Sequence, residues 1–180
     1  MTYQDIIASI PHSFLELPAK AVFLREGEVD DRYFFIEEGA VRLWFDQDGK
    51  EITLNFFFEG EGVAAMESLL KAEPSRYYLE TMEPSRLLVF QKQAMDACLD
   101  THPEARDIAE NALRDMLFEY AGLFLSRIKD DPAERYAALL KDRPDILRRV
   151  PQHYIASYLG ITPVSLSRIR RRLVPVQEIV

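Results

Sequence analysis

Cysteine is almost absent from this chain. The single Cys98 excludes an internal disulfide and any cluster held by cysteines alone, so a reducing, cytoplasmic setting is the default expectation. Long apolar runs are missing too: none approaches the roughly 20 residues that a bilayer span requires. The opening MTYQDIIASI also lacks the basic stretch and apolar core of a secretory signal. Histidine is scarce. His12, His102 and His153 lie far apart, without the His-x-His pair around which small barrel enzymes of the cupin type gather a metal. No Gly-x-Ser-x-Gly, His-Glu-x-x-His or phosphate loop occurs, and the acidic pair Glu37-Glu38 reads as solvated turn residues. These absences argue against an enzyme, and no cofactor or metal is assigned.

What is present is an ordinary globular composition, 48% hydrophobic and 29% charged over 180 residues, enough for one large or two modest domains. The charge is unevenly placed. Residues 131–180 hold nine Lys/Arg against five acids, a net of +4, leaving thirteen against twenty-five, a net of −12, in residues 1–130. Between Ile146 and Leu173 there are six arginines and no acid. Affinity for a phosphate backbone follows this local charge rather than the whole-chain −8, and the acidic remainder would turn the basic end toward DNA.

Residues 20–91 read as β structure. Val41, Leu43 and Phe45 alternate with Arg42, Trp44 and Asp46, the period of a half-buried strand. Asp48-Gly49 then signals a hairpin, followed by a second alternation through Ile52, Leu54, Phe56 and Phe58. Further strands are expected at Val22–Arg25, Tyr33–Glu37, Tyr77–Met82 and Arg86–Gln91, with a short helix around Ala65–Leu70. Many short strands between glycine turns suggest a sandwich or jelly-roll barrel.

A long helix should follow from Pro103 to about Lys129, with Asp130-Asp131-Pro132 as a hinge. Its apolar stripe, including Ile108, Ala112, Met116, Tyr120 and Leu123, is wider than one barrel contact requires. Packing against a twin helix in a two-fold homodimer would use the surplus.

The most informative stretch is QHYIASYLGITPVSLSRIRRRL, Gln152–Leu173. Ile155, Ala156 and Leu159 give a first helix its apolar face. Gly160 allows the positive φ that ends a helix, and Thr162 with Pro163 suits a new N-cap and first turn. Leu166, Ile169 and Leu173 form the stripe of a second helix, leaving Ser165, Ser167, Arg168, Arg171 and Arg172 outside. This is the pattern of a helix-turn-helix whose second helix enters the DNA major groove. Val164 offers a side chain for a thymine methyl, Ser165 or Ser167 for a base or phosphate, and Arg168 for guanine N7 and O6. Arg171 and Arg172 suit phosphates, as do Gln152 and His153 at the start of the first helix. Arg170, beside Ile169, is expected to turn partly away.

Barrel, long helix, hinge and helix-turn-helix in this order resemble the Crp–Fnr transcription regulators. The resemblance rests on FLREGEVDDRYFFIEEGAVRLWFDQDGKEITLNFFFEGEGV and ERYAALLKDRPDILRRVPQHYIASYLGITPVSLSRIRRR, the latter similar to the Bacteroidetes-type branch. It implies an α+β fold with an N-terminal cyclic-nucleotide-binding-like jelly roll over 1–102, a dimerisation helix and hinge over 103–131, and a DNA-binding domain over 132–180. It further implies a small-molecule effector in the barrel, a palindromic DNA site, and RNA polymerase as a partner.

Two departures from the family pattern stand out. Cyclic-AMP-responsive members carry a ribose-binding Glu and then an Arg-Ser or Arg-Thr pair for the phosphate. The candidates here are Glu61, Glu67, Ser68, Ser75 and Arg76, with Ser before Arg. In a strand, that one-residue slip sends the arginine to the other face, which argues against cyclic AMP. The family's first-turn Arg and Glu of the recognition helix are replaced by Pro163 and Val164, while Arg168 matches its later Arg. One cysteine excludes the iron–sulfur sensing of the Fnr branch, and three scattered histidines argue against haem. No full wing hairpin is expected after Leu173. Two alternatives remain open at this level: a sensing module that acts on a protein partner, and a DNA binder whose barrel is an empty scaffold.

Overall fold

A computed structural model describes residues 9–173. Residues 1–8 and 174–180 fall outside it, and with them the opening segment read for a signal, the outer ends of the first and last expected domains, and the question of a wing.

The chain is mixed α+β, as expected. Among the described residues, β1 (Ser13–Leu17), β8 (Ser85–Gln91), β3 (Arg32–Glu38) and β6 (Gly62–Val63) form one four-stranded sheet in that order. A second sheet runs β2 (Val22–Leu24), β7 (Tyr78–Thr81), β4 (Val41–Gln47) and β5 (Lys50–Phe57). Leu24, Phe34, Ile36, Val41, Leu79 and Leu87, drawn from both sheets, share one buried cluster. The β4–β5 hairpin turns where the sequence placed it, with φ of 54° at Asp48 and 80° at Gly49. Two successive left-handed residues make the turn whose twist matches antiparallel strands.

Strand β8 shows how the helices are recruited. Its run Leu87-Leu88-Val89-Phe90 is apolar on both faces: Leu87 and Val89 enter the inter-sheet cluster, while Leu88 and Phe90 form a second one with Ile10 and Ala105. That outer face is covered by Ala94, Met95 and Leu99 of α2 (Lys92–Thr101) and by Ile108 of α3 (Pro103–Lys129). Helix α2 was not legible in the sequence: it follows β8 directly and has no side-chain cap. The short helix expected near residue 65 is α1 (Met66–Lys71).

The alternation along β4 and β5 does not translate into alternating exposure. Arg42, expected to point to solvent, is fully buried and pairs with Glu80 of β7 at 2.5 Å; Trp44 is buried as well. On β5, Thr53 and Asn55 are buried, whereas Leu54, expected inward, is 37% exposed. Arg42 is buried because Glu80 on another strand meets it, which a period-two pattern does not encode, whereas the Thr53 hydroxyl is buried without a hydrogen-bond partner among the described residues. Nor does Glu37 stand free at a turn: it lies within β3 and pairs with Arg86 at 3.1 Å.

The chain divides into two compact units. One comprises the residues up to Leu43 together with Phe56–Tyr120; the other comprises the hairpin tip Trp44–Asn55 together with the chain from Ala121 onward. The second unit contains α4 (Pro132–Asp142), α5 (Pro144–Arg149), α6 (Gln152–Leu159) and α7 (Pro163–Leu173), around buried Tyr136, Leu139, Ile146, Ile155, Ala156 and Leu166. Asp131 starts α4 with a reciprocal capping box: its carboxylate accepts from the N–H groups of Ala133 and Glu134, and Glu134 accepts from the Asp131 N–H. The donated N–H groups of Glu134 and Ala133 hold the Asp131 carboxyl below its ordinary pKa.

Candidate functional site

The five barrel residues singled out in the sequence are held by their own chain. The buried Ser68 hydroxyl accepts the Asp30 N–H at 2.8 Å. The Glu61 carboxylate accepts the Phe58 N–H at 2.7 Å, closing the turn after β5. Ser75 is not in a strand but in the loop before β7. Its N–H donates to the Glu28 carbonyl at 2.8 Å, and its hydroxyl donates to the Tyr77 carbonyl at 2.8 Å. Arg76 points to solvent, with its side chain 76% exposed, and meets Glu67 at 3.3 Å. Of the five, the structure brings Glu67 and Arg76 together as an ion pair, and it spends the hydroxyls of Ser68 and Ser75 on loop geometry.

The end of the second unit is arranged differently. Gly160 ends α6 in the left-handed conformation, φ 69°, and α7 restarts at Pro163. The Thr162 hydroxyl caps α7 by accepting the Ser165 N–H at 3.2 Å, and the two hydroxyls lie 3.0 Å apart. Ala156 and Leu166 are completely buried; of the expected stripe, Ile169 is half-buried and Leu173 exposed. Arg168, Arg170, Arg171 and Arg172 are all exposed, as are Gln152, His153, Thr162 and Val164, with Ser165 and Ser167 half-buried. No acid lies on α6 or α7.

Three residues that sequence reasoning missed secure α6. Arg127 donates to the Tyr158 carbonyl, and Arg135 donates to the Leu159 carbonyl at 2.9 Å and to the Asp130 carbonyl at 2.6 Å. Two cations thus meet the negative end of the helix dipole. Burial lowers the Arg127 pKa from its ordinary value, and neighbouring Arg135 lowers it further. On the other side, Ser157 bridges the hairpin tip: its hydroxyl accepts the Thr53 N–H at 3.0 Å and donates to the Glu51 carbonyl at 2.9 Å. Strand β5 is an edge strand, so this one side chain satisfies backbone groups that would otherwise face water. Only the Arg127 position, in the last turn of a long helix, carried any signal in the sequence.

The family model that matches bears on the first half of the chain, and the similar solved structures on nearly all of it. Residues 14–102 match the family model of the cyclic nucleotide-binding domain. No curated protein matches the sequence. Among solved structures, FixK2 from Bradyrhizobium japonicum superposes with a TM-score of 0.76 at 16% identity, over 91% of this chain and 85% of that one. A CooA variant from Carboxydothermus hydrogenoformans gives 0.76 at 16% identity, over 100% and 84%. The c-di-GMP-responsive global regulator CLP of Xanthomonas campestris gives 0.73 at 18%, over 94% and 89%. At these identities the likeness is one of fold.

Within residues 14–102, which match the cyclic nucleotide-binding domain model, a bound phosphate would need an arginine fork with hydroxyl and N–H donors. Arg76 and Ser75 are turned to other work in this structure. His12, His102 and His153 are engaged locally as well: His12 bonds the Ile10 carbonyl at 2.8 Å, His102 lies beside the Thr101 hydroxyl at 2.9 Å, and His153 packs against Tyr154. Among the described residues no group of three His, Cys, Asp or Glu side chains is placed to hold a metal, and no helix is long and apolar enough to cross a membrane.

Helix α3 carries a row of exposed apolar side chains. Leu113, Leu117, Tyr120, Phe124 and Ile128 recur at three- and four-residue spacing and are all exposed, Leu117 at 65% and Phe124 at 67%. Of the residues expected along a dimer seam, Tyr120 lies in this row. Ala112 is exposed, Met116 and Leu123 are half-buried, and Ile108 packs on the barrel's outer cluster.

Proposed function

We propose that this protein is a DNA-binding transcription regulator of the Crp–Fnr type, acting as a homodimer. In this reading 1–102 is the sensor barrel, 103–131 the dimerisation helix and hinge, and 132–180 the DNA-binding domain. The observation that carries it is α7: a capped helix with four exposed arginines, no acid, and a buried Leu166 beside a half-buried Ile169 that fix which side faces out. Together, α6, the Gly160 turn and α7 form a helix-turn-helix. Arg168 reads guanine, Arg171 and Arg172 neutralise phosphates, and Gln152 and His153 approach the backbone from the start of α6.

The exposed row from Leu113 to Ile128 supports the homodimer, since a continuous apolar stripe on a long helix is stable in water when a twin covers it. A two-fold dimer then requires an inverted repeat with half-sites about 34 Å apart, one turn of B-DNA. RNA polymerase enters as the partner such a regulator would act on. The barrel is a sensor for a small effector other than cyclic AMP, because Arg76, the candidate for the phosphate, points to solvent and pairs with Glu67.

The test is selection of bound duplexes from a random pool by the full-length protein at about 50 mM salt, followed by titration at rising salt. An enriched inverted repeat, with affinity falling linearly in log–log form, supports the reading. Failure to retain any duplex at low salt overturns it in favour of a sensor acting on a protein partner.

A further inference from the structure

The first turn of α7 has an unusual chemistry for a surface offered to DNA. Its two hydroxyls, Thr162 and Ser165, are spent on the helix cap, one accepting the other residue's N–H and the pair lying 3.0 Å apart. Pro163 contributes no donor. What remains exposed is Val164, an aliphatic side chain 63% open to solvent, on a helix whose other exposed face is arginine. A valine left exposed on a helix that carries four arginines fits an apolar spot inside a polyanion. The major groove offers one such spot, the C5-methyl of thymine.

From this we infer that Val164 is a specificity-determining residue that reads a thymine methyl in each half-site, a role that rests on α7 being the recognition helix. Val164 and Arg168 are four residues apart on one helix face, which places their Cβ atoms about 5–6 Å from each other. Bases along one strand rise about 3.4 Å per step. The thymine that Val164 touches therefore lies within about two base pairs of the guanine that Arg168 reads. The half-site core is a T and a G at that separation, with the T recognised through its methyl alone.

The experiment uses the duplex enriched from the random pool and replaces each thymine, one at a time, by deoxyuridine, which deletes the methyl and leaves all hydrogen-bonding groups. One thymine per half-site, within two base pairs of the guanine lost as a determinant in Arg168→Ala, should weaken binding by about four-fold, the worth of one buried methyl group. Val164→Ala should lose about the same factor on the thymine duplex and none further on the deoxyuridine duplex. Val164→Thr keeps a methyl of similar shape and should retain the discrimination. Because Val164 is exposed, neither variant should unfold the helix, and their circular dichroism checks this. If no thymine shows methyl dependence, or the dependence survives in Val164→Ala, the inference fails while the regulator reading stands. If the pool yields no enriched sequence, both fail.

Discussion

The two halves of the molecule spend their polar side chains in opposite ways. In the barrel, the residues placed to meet a ligand are bonded to their own chain: Ser68 to Asp30, Glu61 to the turn after β5, Ser75 to its loop, and Arg76 to Glu67. On α7, the arginines stand in solvent with no acid on their helix, and the bonds that shape the unit lie behind them, in Arg127, Arg135 and Ser157. A side chain already satisfied contributes stability. One left exposed at a fixed position, on a helix whose other face is buried, is available for recognition. Substitutions should therefore separate: stability without DNA specificity in the barrel, and DNA specificity without stability on α7.

The largest effect is expected at Glu80. Removing it leaves the fully buried Arg42 guanidinium without its 2.5 Å carboxylate partner. Removing one partner of a buried ion pair costs about 3–5 kcal/mol. Glu80→Ala should lower the unfolding free energy obtained from chemical denaturation by that amount, and at temperatures where it remains folded its selected DNA sequence should be unchanged. A changed sequence preference would break the separation.

Next is Arg168. Arg168→Ala should lose about 1–3 kcal/mol of discrimination at one base pair, with thermal unfolding unmoved because the side chain is exposed. Arg171→Ala should weaken all duplexes alike and lower the salt slope by about one unit. Equal behaviour of the two variants, measured by fluorescence anisotropy on specific and scrambled duplexes, would remove the distinction between base reader and phosphate contact. A smaller loss, about 1 kcal/mol, is expected from Ser157→Ala, which takes away the hydroxyl that serves both Thr53 N–H and Glu51 carbonyl. Hydrogen exchange at the Thr53 amide should quicken in that variant, and a protected amide would show that the bridge is not what holds it.

How much of this was visible in the sequence follows from the range of the interactions involved. The turn between α6 and α7 was legible because Gly160, Thr162 and Pro163 act within a few residues of themselves, and the same holds for the Asp48-Gly49 hairpin and the start of α3. Arg42 was misread as exposed because its partner, Glu80, is on a strand far along the chain, and nothing local announces the pair. Nothing in the sequence singles out Ser157; its role depends on the edge of β5 arriving beside it. The apolar row of α3 was seen, but the choice among its neighbouring stripes depended on the barrel claiming Ile108.

The smallest expected effect is at Arg76, and it tests the comparison most directly. Its ion pair with Glu67 is exposed, and exposed pairs contribute about 0–1 kcal/mol, so Arg76→Ala should leave thermal unfolding nearly unchanged. Titrating the unaltered protein with cyclic AMP or cyclic GMP should give no saturable rise in the unfolding temperature, although a ligand at 100 times its dissociation constant would add about 2.7 kcal/mol. A saturable rise that vanishes in Arg76→Ala would mean that the arginine leaves Glu67 and turns inward when phosphate arrives. The barrel's polar groups would then be exchangeable rather than spent, and the contrast with α7 would be one of occupancy instead of design. A rise that persists in Arg76→Ala would move the phosphate to other donors and leave the Arg76–Glu67 pair as a surface contact.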